Sequence, residues 1–294
     1  RPEPLPDPAA IATAQGTSAP PPFVPPGHFY SPIPSTADIE AFARRTPHAE
    51  ALPGVDLAEP DQLQLLSELA EFYPSMPFKD EAVPGLRYRF ENPSYSFADG
   101  TFLHTMLRRA RPKRIIEVGS GFTSALTLDT NEHFFGGAME CCFIDPYPEL
   151  LHTLLNDDDR TRTTIIPKRF QDVDLTIFET LGAGDVLFID STHVSKVNSD
   201  VNRLFFEVLP RLAPGTLIHV HDVFPGLEYP LDWLQAGRAW NEQYLLHAFL
   251  MFNSSFRVRL FGPHMINRYP EWFRTHMPTC LRNPGGAFWM ERIR

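Results

Sequence analysis

Carboxylates and imidazoles in this chain gather where apolar runs stop. Residues Arg114 to Gly121 read RIIEVGSG, an apolar run that ends in Glu117 and a turn punctuated by Gly119 and Gly121. Glycines at such a turn let a ligand approach bare backbone where a Cβ would clash, although packing alone also uses such turns. The next apolar run, Glu140 to Ile144, stops at Asp145. In nucleotide-binding α/β folds a carboxylate at the end of the second strand takes the ribose hydroxyls, so the two strand ends together point to a nucleoside-bearing cofactor. Gly121 is followed by Phe122, Thr123 and Ser124 with no third glycine, which makes the dinucleotide fingerprint the weaker fit.

Asp190-Ser191-Thr192-His193 closes a fourth run, and His219-Val220-His221-Asp222 closes a fifth. Histidine titrates near neutrality and suits proton removal. A helix-capping or polar-network role for His193 is the structural alternative. His219 and His221 are expected on opposite faces of their strand, one of them as a core histidine. Gln171 and Asp172 follow the third run, where a solvated loop would carry the same pair. His28, His104, His133, His152, His247, His264 and His276 show no comparable pairing and read as structural. Trp233, Trp240 and Tyr244 follow the fifth run, as helix-packing aromatics or as flat faces for a ring-bearing ligand.

The elements that must position these residues alternate strand with helix. A helix from about Gly100 to Arg109 stops before Pro112. A first strand from Arg114 stops at Glu117 and others follow at 140–145, 163–167, 184–190 and 216–220, with helices after the first, second and fourth, the last of these from about Val197 to Leu212. Such alternation implies a parallel sheet with helices on both faces. Phe256 to Phe261 and Ala287 to Ile293 read as two closing strands, with a helical segment near Pro270 to His276 between them. Upstream, Ser35 or Thr36 can cap a helix through Ile39, Phe42 and Ala43, and a second helix spans about Asp61 to Phe72. Residues 1–35 are proline-rich and favour an extended arm, for which a proline-recognition partner is the alternative. The division expected is therefore an arm over 1–35, a helical cap over 36–94 and a catalytic domain over 95–294.

A chain of 294 residues can hold one α/β core with an appended segment, and 43% hydrophobic content is ordinary for a globular protein. Net charge of -10 argues against general affinity for nucleic-acid phosphates. The three cysteines, Cys141, Cys142 and Cys280, lack both a disulfide framework and metal spacing, so a reducing, cytoplasmic setting is expected. Asp157-Asp158-Asp159 lacks the spacing of a calcium hand loop and reads as a solvated turn. No apolar run approaches the roughly 20 residues of a membrane span. The start lacks the regions of a signal peptide, and Arg1 in place of Met leads to the expectation that an upstream piece has been removed.

Taken together, the glycine turn, Asp145 and the D-S-T-H run resemble the class I S-adenosylmethionine-dependent methyltransferases over about Tyr95 to Arg294. The resemblance implies a Rossmann-like sheet of about seven strands with the last one antiparallel. It implies that Glu117, Gly119, Ser120 and Gly121 lie under the amino-acid end of the cofactor, that Asp145 holds the ribose, and that Gln171 and Asp172 contact the adenine. An arginine at Gly119 is then expected to fill the cofactor space and leave the fold largely intact. Within that family the chain is similar to the metal-dependent O-methyltransferases of small molecules, and to the subgroup acting on sugar hydroxyls of macrolides. The similarity implies a divalent cation at Asp190, His221 and Asp222, with His193 as general base and Asp190 as its catalytic neighbour. His221 stands where that family has a carboxylate. Imidazole disfavours magnesium and leaves manganese, iron or zinc as candidates beside it. The acceptor implied is a small molecule, a sugar or glycosylated metabolite, and a homo-oligomer is compatible with the sequence. Competing functions are a non-heme iron oxygenase built on His221 and Asp222, which leaves the glycine turn unexplained, and a non-catalytic nucleoside-binding domain, which leaves Asp190 and His193 unused.

Overall fold

The computed structural model describes residues 21–44 and 52–294. The described residues fall into two compact units, one of residues 21–44 with 231–239 and one of residues 52–230 with 240–294. In the first, the helix Thr36–Ala43 opens on a reciprocal cap in which Ser35 Oγ accepts from the Asp38 N–H at 3.1 Å and the Asp38 carboxylate accepts from the Ser35 N–H at 3.0 Å. The short helix Leu231–Gln235 belongs to the same unit. Residues 1–20, most of the expected arm, lie outside the described residues.

The second unit is built on one seven-stranded sheet. Its strands are β1 (Arg114–Val118), β2 (Glu140–Ile144), β3 (Thr163–Ile166), β4 (Val186–Ile189), β5 (Leu217–Val220), β6 (Phe256–Phe261) and β7 (Phe288–Arg292), in the order β3-β2-β1-β4-β5-β7-β6. Strands β1 to β5 pair in parallel, while β7 runs antiparallel to both β5 and β6. The central strands are apolar on both faces because helices cover both, as a parallel sheet requires. Ile115, Phe143 and Phe188 feed one buried cluster together with the helices Phe97–Ala110 and Phe122–Phe135. Ile116, Ile144 and Ile189 feed the other, with Val201, Leu204 and Val208.

Several boundaries depart from the sequence expectation for identifiable reasons. The helix expected from Gly100 begins at Phe97, bringing Asp99 into a buried first turn. The helix expected over 197–212 begins at Asp200, where Ser199 accepts from the Asn202 N–H as N-cap. It then loosens into a π turn over Leu204–Val208 and a 3-10 turn over Leu209–Arg211, where Pro210 supplies no N–H. The helix Glu59–Ala70 buries Leu65, Leu66 and Leu69 and packs on the helix Phe97–Ala110 and on β6. All three cysteines are buried and unpaired. Among the described residues no helix is long and apolar enough to cross a membrane.

One expectation is wrong. His219 and His221 were placed on opposite faces, but side chains two apart on a strand share a face. Their rings stack 6.1 Å apart, on the same side as Glu117, since Glu117 pairs with Phe188 and Phe188 with His219.

Candidate active site

The sheet changes direction at β1, with β2 on one side of it and β4 on the other. Ligands of open parallel sheets sit beyond the carboxyl ends of the strands at such a switch point. The sequence-derived candidates divide between its two sides.

On the β2 side, the turn after β1 is tied to the end of β2. Gly119 donates its N–H to the Ile144 carbonyl at 3.0 Å. Asp145 accepts on one oxygen from the Ser120 N–H at 2.9 Å and hydroxyl at 2.7 Å, and on the other from the Tyr147 N–H at 2.8 Å. Both oxygens are thereby fixed, each with acceptor capacity left. Glu117 is fully buried beneath the turn. One of its oxygens accepts from the hydroxyls of Thr123 and Ser124, while the other has no partner. Burial pushes its carboxyl up to about 8 against the pull of those hydroxyls, with Asp190 and Asp145 adding repulsion.

Gly119 has φ +82°, and a Cβ there would overlap the carbonyl oxygen of Asp190. The expectation that arginine at this position leaves the fold intact is therefore corrected: even one added carbon would push the ends of β1 and β4 apart. Gln171 and Asp172 lie in a short turn after β3. The Gln171 amide donates to the Asn198 carbonyl at 3.1 Å, and the Asp172 carboxylate is held by Arg169 at 2.7 Å.

On the β4 side, Asp190 donates its N–H to the Val118 carbonyl at 2.8 Å. Its Oδ1 stands 3.5 Å from His193 Nε2 and 3.4 Å from His221 Nδ1. Asp222 approaches both rings, at 3.6 Å from His193 Nε2 and 3.8 Å from His221 Nδ1. These separations are too long for hydrogen bonds. They are close to the spacing of about 3.3–3.4 Å between ligand atoms around a tetrahedral ion with bonds of about 2.0–2.1 Å. Asp190, His193 and Asp222 offer ligand atoms that all lie within 4.8 Å of one another. His221, expected among the ligands in place of His193, stands beside that trio with its second nitrogen 3.4 Å from the Asp99 carboxylate.

Backbone conformation and charge both mark this corner. His193 and Asp222 adopt left-handed φ values of 59° and 57°. Non-glycine residues hold that region at a cost of about 1–3 kcal/mol, and such strain collects at functional sites. Burial opposes charging of His193, but Asp190 and Glu242 overcome it and raise the imidazole to about 10. His221 is likewise raised well above its ordinary value, because Asp222 and Asp190 outweigh its burial. Burial also opposes ionisation of Asp190, yet His221 and His193 hold that carboxyl well below its usual range. Burial raises Asp222 despite the same imidazoles. In this arrangement protons on the rings supply the positive charge that the carboxylates require, and a divalent cation could supply it instead.

The helix-capping alternative for His193 does not hold, because the following helix begins at Asp200 with Ser199 as its cap. His219 is a core histidine: fully buried, stacked on Phe188 at 4.2 Å, and kept neutral by burial. Trp240 lies against His193 with ring centroids 4.5 Å apart and planes tilted by 33°. Tyr229 links Trp240 to Tyr244 at 6.2 and 5.9 Å, whereas Trp233 belongs to the first unit.

Three buried residues escaped sequence reasoning: Glu242, Asp99 and Tyr95. Glu242 Oε2 lies 2.8 Å from His193 Nδ1. Tyr95 places its ring 5.0 Å from that of His221. Each comes from a segment far in sequence from the strand end that it serves.

Comparison with known proteins bears on this geometry. The family described as a methyltransferase domain matches residues 116–223, which run from β1 past the end of β5. An uncharacterized protein of Archaeoglobus fulgidus is 33% identical over 166 residues, covering 53% of this chain and 73% of that one. Among solved structures, the O-methyltransferase TomG from Streptomyces achromogenes, determined with SAM, is 15% identical with a TM-score of 0.46, covering 87% of this chain and 96% of that one. The SAH-bound methyltransferase PaMTH1 from Podospora anserina is also 15% identical, with a TM-score of 0.44 over 88% of this chain and 96% of that one.

Proposed function

Because the chain belongs to the class I S-adenosylmethionine-dependent methyltransferases, we propose that it transfers the methyl group to a hydroxyl oxygen of a small polar acceptor, a sugar or glycosylated metabolite. The two sides of the site abut at Gly119 and Asp190, and this contact supports the proposal most directly. It brings the turn proposed to hold the donor against a cluster able to handle an acceptor proton. Such abutment is what in-line transfer between two bound reactants needs.

In this proposal Glu117, Gly119, Ser120 and Gly121 face the amino-acid end of the donor, and Asp145 takes the ribose hydroxyls. Its carboxylate is already oriented by Ser120 and Tyr147, so little ordering remains to be done on binding. Gln171 and Asp172 lie nearest the adenine side of the sheet, although their side chains would have to leave Asn198 and Arg169 to contact the base.

In the neutral form that a cation between Asp190 and Asp222 would favour by replacing the ring charge, His193 removes the acceptor proton, with Asp190 beside it. Its Nε2 faces the gap between Asp190 and Asp222. The donor set fits a divalent cation: two carboxylates plus the imidazole of His221, which leaves His193 Nε2 to the acceptor proton. A cation held there would lower the pKa of the acceptor hydroxyl. Oxygen donors alone would suit magnesium, and the imidazoles move the preference toward manganese, iron or zinc. Trp240 and Tyr244, joined through the buried Tyr229, lead from His193 and suit the apolar face of a sugar.

The division into an arm over 1–35, a cap over 36–94 and a catalytic domain over 95–294 belongs to the same proposal. A cytoplasmic setting is supported by three buried, unpaired thiols.

The test is transfer of a labelled methyl group from S-adenosylmethionine to a panel of sugar, phenol, carboxylate and amine acceptors, with the product bond identified by mass spectrometry. A methyl ether is the expected product. Labelling confined to amines or carboxylates would overturn the hydroxyl assignment.

A further inference from the structure

The helix Glu242–Leu250 begins beside the site, and its first residue carries a carboxylate to which methyl transfer has so far given no task. Glu242 is 1% exposed, and burying a charge at that depth is costly unless it is paired. Its Oε2 lies 2.8 Å from His193 Nδ1, and its Oε1 lies 3.5 Å from the Ser191 hydroxyl. A carboxylate in a first helical turn is favoured by the helix dipole even when exposed, so the dipole does not explain why this one turns inward.

The main chain repeats the connection. The His193 carbonyl accepts from the N–H groups of Asn241 at 3.0 Å and Glu242 at 3.1 Å. Asn241 Oδ1 accepts from the Ser195 N–H at 2.6 Å. With Nδ1 against Glu242 and one ring face under Trp240, Nε2 is the nitrogen left facing Asp190 and Asp222.

We propose that Glu242 is a positioning residue: its carboxylate accepts a hydrogen bond from the Nδ1–H of His193 and so presents Nε2, and not Nδ1, to whatever is held between Asp190 and Asp222. The Nδ1 proton stays on the ring throughout, and Nε2 is the atom that takes a proton. A carboxylate behind an imidazole also makes the far nitrogen a stronger donor. The identity of the group facing Nε2 rests on the methyl-transfer proposal, whereas the proton assignment does not.

A double-mutant cycle on the full chain tests this. Glu242→Gln, His193→Asn and the pair are compared by kcat, by KM for the acceptor and by calorimetric affinity for S-adenosylhomocysteine. Loss of an outer partner of this kind typically costs about tenfold to a hundredfold. Glu242→Gln is expected to lower kcat by about that factor with cofactor affinity unchanged, and to cost less than about twofold when His193 is already Asn. Equal losses in both backgrounds would overturn the proposal, as would unchanged kcat in the single variant. Should Glu242→Gln fail to fold, nitrogen-resolved NMR of the unsubstituted protein decides. With the ring neutral, above about pH 10, a proton on His193 Nδ1 supports the assignment, and a bare Nδ1 with the proton on Nε2 overturns it. The NMR measurement needs no acceptor, so failure to find hydroxyl methylation sinks the proposed function and leaves the proton assignment standing.

Discussion

The carbonyl oxygen of Asp190 fills the space that a side chain at Gly119 would need. Gly119→Ala places a methyl group against that carbonyl and requires alanine at φ +82°. Overlap and left-handed strain together are expected to cost about 3 kcal/mol or more. Because the contact joins the two sides of the site, cofactor affinity should fall with stability. Urea unfolding and S-adenosylhomocysteine calorimetry on one preparation would show both, and an unaltered urea midpoint would refute the packing argument.

The catalytic assignment of His193 is best probed with asparagine. Asparagine tolerates the left-handed backbone and keeps a donor near the Nδ1 position for Glu242, while removing Nε2. His193→Asn should lower turnover by about a hundredfold to ten-thousandfold and leave cofactor affinity nearly unchanged. Full turnover in this variant would remove His193 from the chemistry.

Cation dependence is expected from Asp190 and Asp222 with the imidazole of His221 as third donor, which leaves His193 Nε2 to act as base. Stripped with a chelator, the protein is expected to lose hydroxyl methylation and to recover it better with manganese, iron or zinc than with magnesium. Asp190→Asn should weaken cation binding measured directly by calorimetry. Undiminished activity in a verified metal-free sample would leave acid-base chemistry alone.

Glu117 makes stability fall with rising pH. Its folded carboxyl is raised to about 8 from an ordinary 4.5, so between those values the folded state holds a proton that the unfolded chain releases. The stabilisation from the neutral carboxyl is complete below about pH 4.5 and fades as pH rises toward 8, with a slope of up to about 1.4 kcal/mol per pH unit. Glu117→Gln mimics the protonated form and should flatten this dependence between about pH 6.5 and 8. His104, lowered to about 3 by burial, changes the balance below this window, whereas His193 and His221, raised by their carboxylate neighbours, add slope of the same sign within it in both proteins, so the difference between the two slopes reports Glu117. Urea midpoints at the two ends of this window would provide the comparison, and an equal slope in both proteins would contradict the assignment.

Much of this site could be read from the chain because its residues lie immediately after apolar strands. Glu117, Asp145, Asp190 and Asp222 sit at strand ends, and strand ends in a parallel sheet converge. His219 and His221 were misplaced although period-two geometry was available to place them. Asp99, Tyr95 and Glu242 left no comparable signal. Each reaches the site through long-range docking: Asp99 accepts from the Gly286 N–H at 2.9 Å, and Glu242 meets a loop 49 positions earlier. Sequence periodicity describes neighbours along an element and carries no record of such meetings. The helix after β4 was placed too early for a related reason, since Ser199 and Pro210 together set its limits and neither was weighed against the apolar pattern.

The bond between the His193 carbonyl and the first turn of the Glu242 helix has a mechanical consequence. Loop and helix are hinged together at main chain and side chain alike, so they act as a single lever. Whatever swings that first turn aside carries the imidazole away from Asp190 in the same stroke.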